Sequence, residues 1–440
     1  MKVLAVGGGG REHAIVKALV RGGAEVSTVM KNRNPGIARS SRDFLLARET
    51  DVDKVVQYAL SRKVELAVIG PEAPLEAGLV DRLVEEGVGC VGPTRSAARI
   101  ETSKSFARSL LSKHRVPGNI RFASFTDLRD AERHLGSIDY EVAVKPIGLT
   151  GGKGVRIQGE HLMNRDEVLA YVREVFEKGI GGAGVVLEER LEGEEFTLQA
   201  FCDGRKVVPM PLVQDHKRAF EGDKGPNTGG MGSYSSEDHL LPFVTSSEME
   251  EAVDCMRRTV QALASEGCPY LGILYGQFML TKDGPRIIEF NARFGDPEAM
   301  NVLPLLDSNF VDICAGIAAG DVSRRSCEFK RAATVCKYVV PEGYGTEPRA
   351  NVPINVDEEG VQRSGAELFY AAVNEEGGRI LTSTSRAVAV VGVDVSIDAA
   401  ERRCERALRF VSGEHIYVRH DIGKHEIIQR KVERMRALRK

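Results

Sequence analysis

Residues 287–298 read IIEFNARFGDPE. A β-strand sends successive side chains to opposite faces. Glu289, Asn291 and Arg293 therefore share one face, while Ile288 and Phe290 point the other way, toward a core. A Glu, an Asn and an Arg together on an apolar strand are costly to bury without partners. Oxygen ligands at this spacing suit Mg²⁺, which is commonly held by one or two carboxylates together with the phosphates of ATP. The competing reading is a surface hairpin with a Glu–Arg salt bridge. The apolar character of residues 274–280 and 287–290 weighs against it. The preceding strand, read over residues 274–281, carries Gln277, twelve positions before Glu289. A three-residue turn at Lys282, Asp283 and Gly284 sets Gln277 opposite Glu289 and offers a third metal oxygen.

Further upstream, residues 145–155 read KPIGLTGGKGV. A phosphate-binding Walker loop needs G-x-x-x-x-G-K followed by Ser or Thr and then a helix. Gly154 follows Lys153 instead, and VRI reads as a strand. The segment joins two strands, as a flap does. Gly148, Gly151, Gly152 and Gly154 can fold over phosphates while Lys145 and Lys153 neutralise their charge. The plain alternative is a hairpin with exposed lysines.

Gly7, Gly8, Gly9 and Gly10 follow a strand at Val3 to Val6 and open a helix, an arrangement whose backbone N–H groups suit an anion. A dinucleotide fingerprint requires a further glycine at position 12 or 13, where Glu12 and His13 stand, and an acidic residue after the second strand. Lys31, Asn32, Arg33 and Asn34 occupy that place. With Arg11, they favour a phosphate over a ribose diol. A tight turn that needs small residues for packing is the alternative.

Strand and helix signals alternate through the first hundred residues, with strands at 25–30, 65–69 and 89–91, which predicts a parallel sheet. Thr102 to His114 reads as one helix. Residues 166–177 read as helix and 185–189 as strand. A polar, glycine-rich stretch runs from Gln214 to Gly232, and unstructured loops of that length are often functional. A helix over 247–265 precedes the strand pair. Residues 323–331 read as a linker. The last hundred residues carry a strand at 386–393, a helix at 399–411 and a basic tail, KVERMRALRK, read as a solvated face.

The chain has 440 residues, a hydrophobic fraction of 42% and a formal net charge of −3. That length implies about three modules. The balanced charge argues against nucleic-acid and membrane-surface partners. The start is no secretory signal, and no apolar run approaches the ~20 residues of a membrane span, so a soluble cytoplasmic protein is expected. The eight cysteines are scattered and form no metal-ligand spacing. They read as small buried apolar residues.

Taken together, these motifs resemble the ATP-grasp superfamily. A lysine opening a helix (Lys104), two lysines around a glycine loop (Lys145, Lys153) and the Glu289-x-Asn291-x-Arg293 strand are its recurrent parts. GGREHA at 8–13, GPEAPL at 70–75, QDHKR at 214–218, GPNTGGMG at 225–232, RFGDPE at 293–298 and GGRIL at 377–381 resemble, within it, the phosphoribosylamine–glycine ligase family. There are two departures. The flap begins KPIG where KADG is common in the family, and Gln277 stands where many members have a small residue.

The resemblance implies an α/β and α+β multidomain protein. Its parts are an N-terminal parallel α/β domain over 1–101, an ATP-grasp domain over 102–325 with a mobile flap at about 118–192, and a small C-terminal α+β domain over 326–440. It further implies ATP, Mg²⁺ (or Mn²⁺), glycine and 5-phosphoribosylamine as ligands. Residues 188–191 (Glu188, Glu189, Arg190, Leu191) resemble the hinge that holds adenine through backbone groups. Glu195 stands where a ribose-binding acid is expected. Gly8, Gly9, Gly10, Arg11, Glu72, Asp215, His216, Lys217, Asn227, Arg293 and Asp296 are the implied substrate contacts. Arg293, Lys145 and Lys153 are the implied catalytic groups, and Gln277, Glu289 and Asn291 the implied metal ligands. The rival classes are a nicotinamide-dependent dehydrogenase, a non-catalytic ATP-binding module and, within the superfamily, a carboxylase.

Overall fold

The computed structural model describes residues 1–149, 154–182, 184–322 and 327–440. Five short strands form a parallel sheet in the order Asp43–Leu46, Glu25–Met30, Lys2–Val6, Leu66–Ile69, Gly89–Val91. Strands covered by helices on both faces need no polar alternation, so KVLAV and LAVI are nearly continuous apolar runs. The helix after the first glycines spans Gly10–Arg21, beginning within the glycine cluster itself.

The helix expected over residues 102–114 spans Lys104–Lys113, and a separate helix, Arg95–Thr102, precedes it. Ser103 separates them. Its extended backbone ends the first, and its hydroxyl accepts the Phe106 N–H at 3.3 Å to cap the second. Glu101, Lys104 and Arg108 consequently stand on either side of a break.

Residues 122–189 build a small unit. Its antiparallel sheet runs Phe122–Phe125, Val185–Glu189, Val142–Pro146, Arg156–Ile157. The helices Leu128–Ser137 and Arg165–Lys178 cover it. Ala131, Leu135, Val144, Val172 and Leu187 belong to a hydrophobic cluster confined to this unit. A unit with its own core can move as a body.

The central sheet runs Val207–Pro209, Glu194–Asp203, Leu271–Thr281, Gly284–Asn291, with the helix Ser246–Ser265 against it. Its last hairpin keeps the expected register by a different route. Thr281 pairs with Gly284, leaving a two-residue Lys282-Asp283 turn in place of the expected three. A bulge then restores the offset: Phe278 faces Ile287, Gln277 faces Glu289, and Ile288 is the extra residue. Ile287 and Phe290 are buried, whereas Ile288, expected in the core, is half-buried.

The stretch from Gln214 to Gly232 is not an unstructured loop. Arg218–Phe220 and Lys224–Asn227 pair as a hairpin. Gln214–Asp215 and Gly232–Ser235 join Ala333–Pro341, Val388–Asp394 and Glu367–Tyr370 in one sheet, with Ile416–Val418 also on Ala333–Pro341. The helix expected to reach Val411 is Ile397–Leu408, and Val411 opens the strand Val411–Gly413. The tail is more than a solvated face: the helix His425–Leu438 buries Ile427, Ile428, Val432 and Met435. Of the expected linker, residues 323–326 lie outside the described residues. No described helix is long and apolar enough to cross a membrane.

Candidate active site

Alternation along Glu194–Asp203 places Glu195, Thr197 and Gln199 on one face, and the register sets Gln277 against Thr197 and Tyr275 against Gln199. Glu289 and Asn291 continue the row opposite Gln277 and Tyr275. A chain of hydrogen bonds crosses it. Gln277 Nε2 donates to Glu195 Oε2 at 2.7 Å. The Tyr275 hydroxyl lies 2.5 Å from Gln277 Oε1 and 2.9 Å from Glu298 Oε1, and the Thr197 hydroxyl donates to Glu298 at 3.2 Å. Gln277 therefore faces Glu289 as expected, with its amide oxygen already engaged by Tyr275.

Among the described residues the Glu289 carboxylate accepts no hydrogen bond and makes no close ion pair, while Asn291 Oδ1 accepts from Arg293 at 3.3 Å. No group of three or more His, Cys, Asp or Glu side chains among the described residues is arranged to hold a metal. One carboxylate with an amide oxygen beside it fits Mg²⁺ whose remaining ligands are phosphate oxygens and water.

Cations face this row from three elements. Lys145 Nζ is 2.7 Å from Glu188 Oε2 and donates to the Ile288 carbonyl at 3.1 Å. Arg108 closes a ring: its Nε lies 2.7 Å from Glu188 Oε1, and its Nη2 donates to the Ile287 and Ile288 carbonyls, each at 2.9 Å. All three side chains are buried. Burial alone raises a carboxyl pKa, but Arg108 and then Lys145 outweigh it and hold Glu188 down to about 2. The bulge at Ile288 turns two successive carbonyls toward one guanidinium. Lys104 donates to the Gly148 carbonyl at 2.9 Å. Burial depresses its pKa, with Glu289 opposing and Lys145 adding to the effect. Lys217 lies 2.9 Å from Glu195 Oε2. Against burial, Glu195, Asp215 and Glu289 raise its pKa.

Arg293 is forked between two acids of the N-terminal region. Nη2 is 2.9 Å from Glu101 Oε1, and Nε is 3.4 Å from Glu72 Oε2. Despite burial, Arg293 and Arg11 bring Glu72 down to about 2. Burial dominates for Glu101, which rises to about 7 against the pull of Arg293.

Packing, the alternative weighed for the first glycines, is what their surroundings display. The Gly9 N–H donates to Glu12 Oε2 at 2.7 Å. A Cβ on Gly7, Gly9 or Gly70 would lie 2.5, 2.7 or 2.3 Å from the Glu12 side chain, and a Cβ on Gly10 would lie 2.4 Å from the Tyr338 hydroxyl. Packing accounts for much of the cluster. Gly8 gives its carbonyl to Asn34 Nδ2 at 3.0 Å. Arg11 turns to Glu12, at 2.6 Å, and to the Phe294 carbonyl, at 3.2 Å. His13 is buried and accepts the Tyr370 N–H at 2.8 Å, docking the first helix on the C-terminal sheet.

The QDHKR segment splits by alternation. Asp215 and Lys217 face the site, and His216 does not. The His216 ring is fully buried, with Nδ1 3.1 Å from Asp223. Asp215 Oδ1 is buried, with no hydrogen-bond partner among the described residues. Burial, then Glu298, push its pKa well up. Asp296 accepts the Tyr338 hydroxyl at 2.5 Å and pairs with Arg386 at 3.2 Å. Asn227 is exposed on its hairpin. Of the flap residues, Gly151, Gly152 and Lys153 lie outside the described residues, and the Gly154 carbonyl accepts the Tyr171 hydroxyl at 2.7 Å. In the hinge, the Glu189 and Arg190 amides donate to the Arg121 and Glu141 carbonyls.

Glu101, Arg108, Tyr275, Glu298 and Arg386 are the residues that sequence reasoning missed. Arg108 stands four after Lys104 on the same helix, a spacing that was available as a signal, whereas Glu101 lies on the preceding helix across the break at Ser103. Arg386 has no such signal, because only the fold brings it to Asp296.

Residues 1–101, 102–299 and 334–425 match the N domain, the ATP-grasp (A) domain and the C domain of phosphoribosylglycinamide synthetase. The chain belongs to this family. The protein named phosphoribosylamine–glycine ligase in Methanothermobacter thermautotrophicus is 54% identical over 440 residues, covering both chains completely. Its namesake in Pyrococcus horikoshii is 50% identical, over 100% of this chain and 98% of that one. The crystal structure of phosphoribosylamine–glycine ligase from Thermotoga maritima superposes with a TM-score of 0.81 at 28% identity, covering 96% of this chain and 100% of that one. A biotin carboxylase from Campylobacter jejuni shares the fold at a TM-score of 0.72 and 12% identity, over 99% and 95% of the two chains.

Proposed function

We propose that this chain is a cytoplasmic ATP-dependent ligase of de novo purine biosynthesis. It joins glycine to 5-phosphoribosylamine and releases ADP and phosphate. The observation that carries the reading is the convergence of Glu289, Asn291 and Arg293 with Lys145, Lys104 and Lys217 across one sheet face. That is a constellation for charge-neutralised phosphoryl transfer.

In the first step a glycine carboxylate oxygen attacks the γ-phosphorus of ATP, the bond to the bridging oxygen breaks, and ADP leaves. Lys145 and Lys104, with Lys153 from the flap, neutralise the phosphates. The Glu188–Arg108 pair holds Lys145 in place. Glu289 and Asn291 would hold Mg²⁺ or Mn²⁺, which supplies charge neutralisation at the phosphate oxygens when bound. Arg293, fixed by Glu101, presents a guanidinium to the carboxylate or the transferring group. In the second step the amine of phosphoribosylamine attacks the acyl carbon of glycyl phosphate, the C–O bond breaks, and phosphate leaves as the amide forms. Glycyl phosphate must be kept from water, a task suited to the flap over Val142–Pro146 and Arg156–Ile157. Residues 188–191 take adenine, Glu195 stands near the ribose, and Asp215 and Lys217 contact the substrates. The start of the helix Gly10–Arg21 takes the 5′-phosphate. Its Gly10 and Arg11 amides remain for an anion after Glu12 has taken Gly9.

The test is ADP release with ATP, glycine and phosphoribosylamine omitted one at a time. Release that requires both glycine and phosphoribosylamine supports the reading. Release that follows bicarbonate in place of glycine replaces it with a carboxylase.

A further inference from the structure

Lys217 and Glu195 meet at 2.9 Å within the site, and both chain neighbours of Lys217 are held from behind by one ion pair. His216 Nδ1 lies 3.1 Å from Asp223 Oδ1. The Arg218 carbonyl accepts from Arg419 Nη1 at 2.9 Å, and the same nitrogen is 2.9 Å from Asp223 Oδ1. The other edge of Arg419 is bidentate on Asp421, at 2.9 and 2.7 Å. Asp421 also accepts the Gly222 N–H at 2.8 Å, so the turn that carries Asp223 is tied at two points. Behind Glu195, its neighbour Glu194 meets Arg434 at 3.2 Å and Lys431 at 3.5 Å. Lys431 is also 3.5 Å from Asp223, so one ammonium is shared by the supports of both partners.

Arg419 is 0% exposed. Burying a guanidinium is a poor way to gain stability, since apolar side chains of similar volume often do as well. What a planar fork adds is a fixed angle between the groups it bridges. Here those groups are the backbone next to Lys217 and the carboxylate that orients His216. We infer that Arg419 is a positioning residue which, with Asp223 and Lys431, sets the Lys217–Glu195 pair, so that the C-terminal segment 419–434 completes the site without touching substrate. This rests on the ligase reading for its kinetic test only.

Arg419→Lys keeps the charge and loses the fork. It is compared with Lys217→Met and with the double variant, each as the full chain, in the ADP-release assay. Arg419→Lys is expected to lower kcat/KM by roughly tenfold to a hundredfold and to cause no further loss in the Lys217→Met background. An equal loss in both backgrounds overturns the inference, because independent effects add. If Arg419→Lys does not fold, Lys431→Met enters the same cycle. A readout free of activity is the NMR signal of ¹³C-methylated Lys217, assigned by its disappearance in Lys217→Met. It is expected to shift in Arg419→Lys and Lys431→Met, and an unmoved signal overturns the inference. A wild-type chain without ligase activity would remove the ligase reading and leave the NMR comparison to decide this one.

Discussion

Glu101 accepts the Ala292 N–H with one carboxylate oxygen at 2.7 Å and meets the Arg293 guanidinium with the other at 2.9 Å. One buried side chain thus fixes the chain between Asn291 and Arg293. Burial raises its pKa to about 7, so the grip changes within the neutral range. Below that pH the protonated carboxyl holds Arg293 less tightly, leaving Glu72 as its remaining acid. We expect kcat/KM to rise with pH through about 7, and the inflection to vanish in Glu101→Gln. A pH profile of both proteins checks this; the same inflection in the variant assigns it to another group.

Glu289→Gln and Asn291→Ala are each expected to lower kcat by roughly a hundredfold or more, the scale of lost charge stabilisation at a metal-assisted step. Both side chains are partly exposed at the end of a strand, so the thermal midpoint should change little. Near wild-type turnover in both variants at saturating Mg²⁺ would remove the metal assignment.

Arg108→Met takes the guanidinium from the Ile287 carbonyl and leaves the Ile288 carbonyl and Glu188 with Lys145 alone. Breaking a buried pair by deleting one partner costs about 3–5 kcal/mol, to be read from urea unfolding. Because Lys145 then binds Glu188 more closely, the KM for ATP should rise as well. An unchanged KM for ATP would make the ring purely structural.

His13 links stability to acid. Burial holds its pKa down at about 3, below an ordinary value of 6.5. Between those values the unfolded chain binds the proton and the folded chain does not. Its contribution is therefore complete above pH 6.5 and is lost as pH falls toward 3. At about 1.4 kcal/mol per pH unit, the full span is on the order of 4–5 kcal/mol. Glu101 acts in the opposite sense, since its raised pKa makes the folded state lose stability as pH rises from 4.5 to about 7. The measurement is thus the difference in urea midpoint between His13→Gln and wild type across this range. It should narrow toward acid pH, and a constant difference would contradict the assignment.

Periodicity and spacing were enough for the parallel sheet and for the strand face shared by Glu289 and Asn291, whereas Arg293, expected on the same strand, lies two residues beyond its end. These depend on local rules: alternation in a strand, continuous apolar runs under helices, and a break where glycines cluster. The register of Gln277 on Glu289 was legible only because two errors cancel, a turn one residue shorter than expected and a bulge of one residue at Ile288. Nothing local announces that bulge. It is held by Arg108, 180 positions away in the chain. The same reason separates His216 from Lys217. Both are polar neighbours in one motif, and only the sheet formed with Gly232–Ser235 and Ala333–Pro341 decides which is turned inward. The sequence by itself determined which chemical groups this protein carries and which face of its own strand each occupies. The tertiary structure decided which of them meet, because burial, counter-charge and hydrogen-bond partners come from residues far apart in the chain.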